Sequence, residues 1–309
     1  MNIAYCLSAF SDPVHLARLI CALDGADTEF FVHIDRKVDA EPFRQACAAP
    51  NVHFLDDRQR VRVYWGTYAQ VEFQMRLIRA ALDSPRHNDH IFMLSGQDFP
   101  LWPNSRIRTF LQEHPDESQL AGICLDSDDV AECNKHIYRL VRPQLDWTWL
   151  SATWNDRLSR LWRKVLKVVG CRQALHFTVD SREWRLFKGS DYFCLTRSLA
   201  QYAYEQWSTH PEVRRYFSRS FAPSETCIHT IAFNSPDYSR QCSLHHGPYQ
   251  SLAVLTPLHC IDYDPVIRIW RDGGLDHLLQ SGKMFGRKFT TADSTPLLDA
   301  IEQHNHDRN

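Results

Sequence analysis

Three groups of residues in this chain could do chemistry, and their types point to one kind of reaction. The first is a carboxylate, Glu225, in the segment PSETCIHT at 223–230, near the start of a helix expected over residues 225–232. A carboxylate so placed can take the proton of an attacking hydroxyl, and general-base help of this kind is worth roughly 10²–10⁴-fold in rate. The plainer account is a solvated acid favoured by the helix dipole. The second group is a set of cations toward the C-terminal end, Arg268, Arg271, Arg287 and Lys288. Arginine grips phosphate oxygens with two parallel N–H donors and lysine acts as a point charge, so the set suits a departing diphosphate. For Arg271, plain surface charge is an equal account. The third is Asp126-Ser127-Asp128, which follows the apolar run 120–125 and could hold a divalent metal against the same diphosphate. Asp-x-Asp also arises by chance in loops, and a solvated turn explains it as well.

Such groups need a scaffold, and the apolar pattern supplies one. Residues 3–7, 29–34, 52–55 and 90–94 read as strands, with helices expected over 14–23 and 68–82 between them. Strands alternating with helices predict an α/β fold with a mostly parallel central sheet flanked by helices. In such sheets functional groups collect beyond the carboxyl ends of strands, which is where Asp35 and Asp98 fall. Farther on, 189–195 reads as a strand and 199–207 as a helix, and GLDHLLQSGKMFGRKF as a helix, a turn and a short basic segment. No repeat or low-complexity linker divides the chain. A single domain over 1–309 is expected, with a nucleotide-binding part over about 1–120 and an acceptor and catalytic part over about 121–309.

One stretch stands apart. Between 141 and 185 the chain is rich in tryptophan and basic residues, and Leu150, Trp154, Leu158, Leu161, Val165 and Val168 recur at helical spacing. Arg157, Arg160, Arg163, Lys164 and Lys167 occupy the other faces. Two accounts fit: a surface helix whose apolar stripe packs on the core, and a basic amphipathic helix over 150–169 making weak contact with an anionic membrane surface.

Composition is that of an ordinary globular protein: 309 residues, 23% charged, 44% hydrophobic, and a formal net charge of -2. Nothing in that balance suggests a nucleic-acid partner. The ten cysteines form no C-x-x-C pair and sit mostly among apolar neighbours, as reduced buried thiols do. The sixteen histidines add no metal-ligand spacing. The start, MNIAYCLSAF, reads as a strand rather than a signal peptide, and no segment has the length of a membrane span. A cytoplasmic protein is expected, peripheral at the inner face of the membrane if 150–169 binds there.

Six ordered segments carry a resemblance: VHIDRK at 32–37, VYWGTYAQV at 63–71, LSGQDFPL at 94–101, KGSDYFCLTR at 188–197, PSETCIHT at 223–230 and FGRKF at 285–289. Together they resemble glycosyltransferase family 14, the core-2 and I-branching β-1,6-N-acetylglucosaminyltransferases and peptide O-xylosyltransferases. The resemblance implies a GT-A-like nucleotide-sugar-binding fold and inverting transfer from a UDP-sugar to a carbohydrate hydroxyl. It implies no cofactor and no metal, with N-acetylglucosamine as the first expectation for the sugar and xylose as the second.

By the same resemblance Glu225 is the catalytic base and Lys288 the diphosphate-binding lysine. Arg268 is expected as the second cation, with Arg271 as its alternative, and Arg287 among the donor-binding residues. Asp35 and Lys37 are expected at the uridine and ribose, and Asp98 beside the donor. Gly189, Ser190 and Asp191 are expected as a pocket wall, and Lys135 and Arg139 at the acceptor. Trp65 and Gly66 are expected to be structural, a ring packed over a tight turn. Two other readings stay open: a metal-dependent transferase using Asp126 and Asp128, and a nucleotide-sugar-binding module without catalysis. No N-terminal anchor, stem or disulfides of the kind eukaryotic members carry are expected, and the expectation is a compact, bacterial-type enzyme.

Overall fold

The computed structural model describes residues 1–127, 147, 149–247, 251–263 and 266–307. Its centre is a five-stranded sheet built from β1 (Ile3–Ala9), β2 (Thr28–Ile34), β3 (Val52–Phe54), β4 (His90–Ser95) and β10 (Phe193–Thr196). The order is β10-β4-β1-β2-β3. β1 to β4 pair in parallel and β10 runs antiparallel to β4, so a strand from the second half of the chain completes the sheet.

Both faces of the sheet are covered, which is why its strands are apolar throughout rather than alternating. Tyr5, Leu7, Phe30, Val32, Phe92 and Leu94 point to one side, where α1 (Pro13–Leu23), α2 (Glu41–Ala46) and α4 (Asn104–Glu113) pack. Cys6, Phe31, Ile91, Met93, Phe193 and Leu195 point to the other, against α3 (Ala69–Asp83), α6 (Arg197–Thr209), α7 (Pro211–Phe217) and α8 (Cys227–Phe233). Helix α1 starts where the sequence can start one: the Asp12 carboxylate accepts the His15 N–H at 3.0 Å and Pro13 stands in the first turn.

Two small sheets flank the large one. β6 (Ala121–Cys124) lies between β11 (Ser243–His245) and β9 (Phe187–Gly189), while β13 (Phe285–Arg287) lies between β12 (His259–Ile261) and β5 (Asp98–Pro100). A hairpin of β7 (His176–Val179) and β8 (Arg182–Arg185) precedes β9. The remaining helices are α5 (Ala152–Val168), α9 (Leu275–Gln280) and α10 (Thr291–His306).

Several expectations need correction. The single strand expected over 189–195 is two strands in different sheets, β9 and β10, joined by a turn at 190–192. The helix expected from Glu225 begins at Cys227, and Glu225 closes a short 3-10 turn, Pro223–Glu225. FGRKF, expected as a short basic segment after a turn, begins as strand β13, paired on both sides. Cys21 and Cys171 are exposed rather than buried. Among the described residues no helix is long and apolar enough to cross a membrane.

The close packing of β9 generates a test. A Cβ placed on Gly189 would stand 2.2 Å from the Ala121 carbonyl oxygen and 2.2 Å from His229 Nε2. Neither neighbour is the end of a flexible chain. Overpacking of this kind costs about 1–3 kcal/mol, so Gly189→Ala should lower the melting temperature by several degrees. Thermal unfolding followed by circular dichroism checks this, and an unchanged melting temperature would contradict the packing.

Candidate active site

A cleft of about 540 Å³ opens beyond the carboxyl ends of β1, β2 and β4. Its floor comes from those strand ends, with Ser8 and Ala9 from β1, Asp35 and Lys37 after β2, and Ser95 and Gln97 at and after β4. The β9–β10 turn adds Ser190, Asp191 and Tyr192, the 3-10 turn adds Glu225, and the end of β13 adds Arg287 and Lys288. Elements scattered over almost the whole chain thus converge on one space.

The cationic side is built around a buried charge. The Asp98 carboxylate is fully inaccessible, yet it accepts from Arg287 Nη1 at 2.8 Å and from the Ser95 N–H at 2.7 Å, and it stands 3.0 Å from His259 Nε2. Burial alone would raise its pKa, but His259 and Arg287, with the Ser95 N–H, hold it below the usual carboxylate value. Arg287 is therefore fixed in place, with its guanidinium also over the Tyr192 ring at 4.8 Å. Lys288, the next residue, is half-buried, and among the described residues no carboxylate pairs with it. Burial first, and then the neighbouring Arg287, lower its pKa.

The anionic side holds two carboxylates in different states. Glu225 is ion-paired with Lys188, whose ammonium is almost fully buried in β9. Asp191 keeps a buried Oδ1 with no hydrogen-bond partner among the described residues. Burial first, then the Glu225 charge, raises its pKa from 3.8 to about 6, against the pull of Ser224, Lys188 and Arg287. Behind them His229 is kept neutral, lowered to about 3 by burial and then by Lys188.

The strand-end side presents a hydroxyl. The Val61 N–H donates to His33 Nε2 at 3.1 Å, so the ring's proton sits on Nδ1, which donates to Ser8 Oγ at 3.3 Å. Burial, followed by Arg60 and Arg76, lowers His33 to about 3 and keeps it neutral. The Ser8 hydroxyl, accepting from the ring, is left with its own hydrogen to donate into the cleft.

The residues expected from the sequence divide accordingly. Glu225, Asp35, Lys37, Ser190, Asp191, Arg287 and Lys288 all line the cleft. Asp35 also caps its own loop, accepting the Lys37 N–H at 2.9 Å, with Lys37 Nζ 3.3 Å from its other oxygen. Asp98 does not reach the cleft; it stands behind Arg287 and positions it. Arg268 and Arg271 face outward, paired with Asp262 at 3.3 Å and Asp293 at 2.8 Å, so the cation beside Lys288 is Arg287. Gly189 is a packing spacer rather than a wall. Asp126 lies away from the cleft with Arg185 Nε 3.3 Å from its carboxylate, while Asp128, Lys135 and Arg139 lie outside the described residues. Ser8, Tyr192 and Tyr263 also line the cleft and Lys188 backs it through Glu225, none of them singled out from the sequence. Trp65, expected to be structural, packs edge-on against Phe221 and is 62% exposed at the cleft's edge. Lys188 opens the segment KGSDYFCLTR, and that position was the available signal.

The family described as Core-2/I-Branching enzyme matches residues 3–251. Among curated proteins, xylosyltransferase 2 of Rattus norvegicus is 26% identical over 243 residues, covering 76% of this chain and 25% of that protein. Xylosyltransferase sqv-6 of Caenorhabditis briggsae is 24% identical over 211 residues, covering 67% and 23%. The chain thus spans about a quarter of the length of these relatives. Among solved structures, mouse xyloside xylosyltransferase 1 in its apo form aligns with a TM-score of 0.37 at 11% identity, covering 93% of this chain and 97% of that one.

The Asp191 carboxyl gives a prediction with a definite sign. It ionises near 3.8 when unfolded and near 6 in the fold, so between those values the folded chain keeps a proton that the unfolded chain has lost. Stability should therefore fall as pH rises through that window and stay lower above it, by up to about 3 kcal/mol at ~1.4 kcal/mol per unit. Asp191→Asn cannot ionise. It should melt several degrees above the parent at about pH 8, with the gain gone near pH 4. A difference that is the same at both pH values would contradict a shifted carboxyl.

Proposed function

The chain belongs to the Core-2/I-branching enzyme family, and from that premise we propose that it transfers a sugar from a UDP-sugar to a glycan hydroxyl, with inversion and without a metal. The observation that carries this reading is the meeting in one cleft of two carboxylates, Glu225 and Asp191, with two fixed cations, Arg287 and Lys288. A module that only bound nucleotide would need the cations but not the acids. The names of the curated relatives put xylose ahead of N-acetylglucosamine as the donor sugar, the reverse of the order expected from the sequence.

In the proposed reaction the acceptor hydroxyl oxygen bonds to the anomeric carbon on the face opposite UDP. The bond from that carbon to the β-phosphate oxygen breaks, and its electron pair leaves with UDP. Arg287 and Lys288 meet the charge that builds there, in a partly dry site where fixed cations act more strongly than in water. Arg287 needs little reorganisation, because the Asp98 carboxylate already holds it. In this reading the Ser8 hydroxyl and the loop around Asp35 and Lys37, which line the cleft, meet the uridine and ribose.

The acceptor's proton goes to a carboxylate, and Glu225 is the proposed base, with Lys188 orienting it. A second reading gives that role to Asp191, and one observation favours it: its Oδ1 has no partner among the described residues, and its pKa of about 6 lies closer to neutrality, where a base works best. Single-turnover transfer by two isosteric variants separates the readings. With Glu225 as base, Glu225→Gln should lose at least about 10²-fold in turnover while still binding UDP, and Asp191→Asn should lose much less. The reverse pattern would move the base to Asp191. Both variants keeping more than about a tenth of the parent's turnover would overturn carboxylate base catalysis in this cleft.

A further inference from the structure

Helix α5, Ala152–Val168, turns its apolar stripe to solvent. Trp154 is 54% exposed, Leu161 59%, Val165 44% and Val168 87%, and Trp162 and Val169 are open beside them. Among its described side chains this helix buries Asn155, Ser159 and Leu166, two of them polar, and leaves Leu158 of the stripe half-buried. Asn155 Nδ2 donates to the Trp147 carbonyl at 2.9 Å and Ser159 Oγ to the Asn155 carbonyl at 2.6 Å, while Asn155 Oδ1 has no partner among the described residues. The packing is thus the opposite of a core helix, whose apolar side faces inward.

The stripe is extended and flanked in a way that defines a partner. Trp147 and Trp149, just before the helix, stack with ring centroids 5.5 Å apart, and Trp149 is 76% exposed. Along the neighbouring side of α5 run Arg157, Arg160, Lys164 and Lys167, all exposed, with Arg160 paired to Asp156 at 2.7 Å. Indole rings, an apolar stripe and a parallel row of long basic side chains are the three parts that settle a helix at the boundary between acyl chains and anionic headgroups. A neutral apolar partner would account for the stripe but not for the basic row.

We propose that α5 docks this protein on an anionic lipid surface, lying flat with its Trp and aliphatic stripe in the boundary layer and its basic row on the headgroups. Docked by this face, the protein holds its cleft close to the bilayer. Arg163 of α5 stands over the Phe221 ring at 5.1 Å, and Phe221 meets Trp65 at the cleft's edge. The docking itself does not depend on the transfer reaction proposed above.

Co-sedimentation of the full chain with vesicles tests this. With vesicles of phosphatidylcholine containing about one third phosphatidylglycerol, the bound fraction should exceed that on pure phosphatidylcholine by roughly tenfold, and should fall by a similar factor in high salt. Tryptophan emission should shift to the blue on binding. Two variants at exposed positions should each remove binding without lowering the melting temperature: L161E with V165E for the stripe, and K164E with K167E for the basic row. Equal binding to both vesicle types, or none to either, would overturn the proposal. So would a concentration-dependent dimer that L161E disrupts, because the stripe would then belong to a second copy of the chain.

Discussion

The structure depends on one charge kept out of water. Asp98, fully buried in β5, is tied through its carboxylate to the end of β4, to His259 of β12 and to Arg287 of β13, and through its carbonyl to His15 of α1 at 3.1 Å. An isolated ionised carboxylate at that depth would be strongly unfavourable, so its charge depends on these partners being correctly placed. Removing one partner of such a buried pair costs roughly 3–5 kcal/mol. What satisfies Asp98 also fixes the site, because the Arg287 guanidinium is delivered to the cleft with Lys288 directly after it, and Lys288 is pinned through the backbone by Trp270, whose N–H donates to its carbonyl at 2.9 Å. Folding energy and preorganisation are the same interaction here.

The opposite wall shows the same economy with the signs reversed. Lys188 is almost fully buried and would be unfavourable there without Glu225, which it holds as an ion pair facing the cleft. His229, packed behind, is neutral and so adds no competing charge. Glu225 and Asp191 share a small volume in which two full negative charges are costly, and Asp191 carries the consequence in its raised pKa. One cleft therefore contains a compensated acid, a poised acid and two cations, an arrangement suited to moving a proton on one side while charge builds on the other.

Much of this was legible in the sequence because it followed from local pattern. The four parallel strands are apolar runs bounded by turn residues, and the helices between them have one apolar face, so the sheet and the strand-end position of Asp35 came from periodicity alone. Arg287, Lys288, Asp191 and Glu225 were reachable through their segments. The rest depended on pairings between distant residues. That Asp98 serves Arg287 rather than the cleft follows from the register of β5 against β13, across 189 positions of sequence. Arg268 and Arg271 stand ahead of Arg287 as the second cation in the sequence alone, but Asp262 and Asp293 hold them outside. Lys188 was hidden because β9 and β10 read as one strand, which concealed the turn that separates their sheets. In α5 the periodicity was plain, but periodicity marks which residues share a face and not which way that face points; the polar pair Asn155 and Ser159 on the buried side was the signal that it points outward.

The proposal that Arg287 and Lys288, rather than a metal, hold the diphosphate is tested by calorimetric titration with UDP and with UMP in the presence of EDTA. UDP should bind in EDTA at least about tenfold more tightly than UMP, the excess coming from charge-assisted contacts of Arg287 and Lys288 to the second phosphate. In Lys288→Ala most of that excess should be lost. UDP binding that appears only when Mn²⁺ is added, or an excess over UMP that survives Lys288→Ala unchanged, would contradict the account.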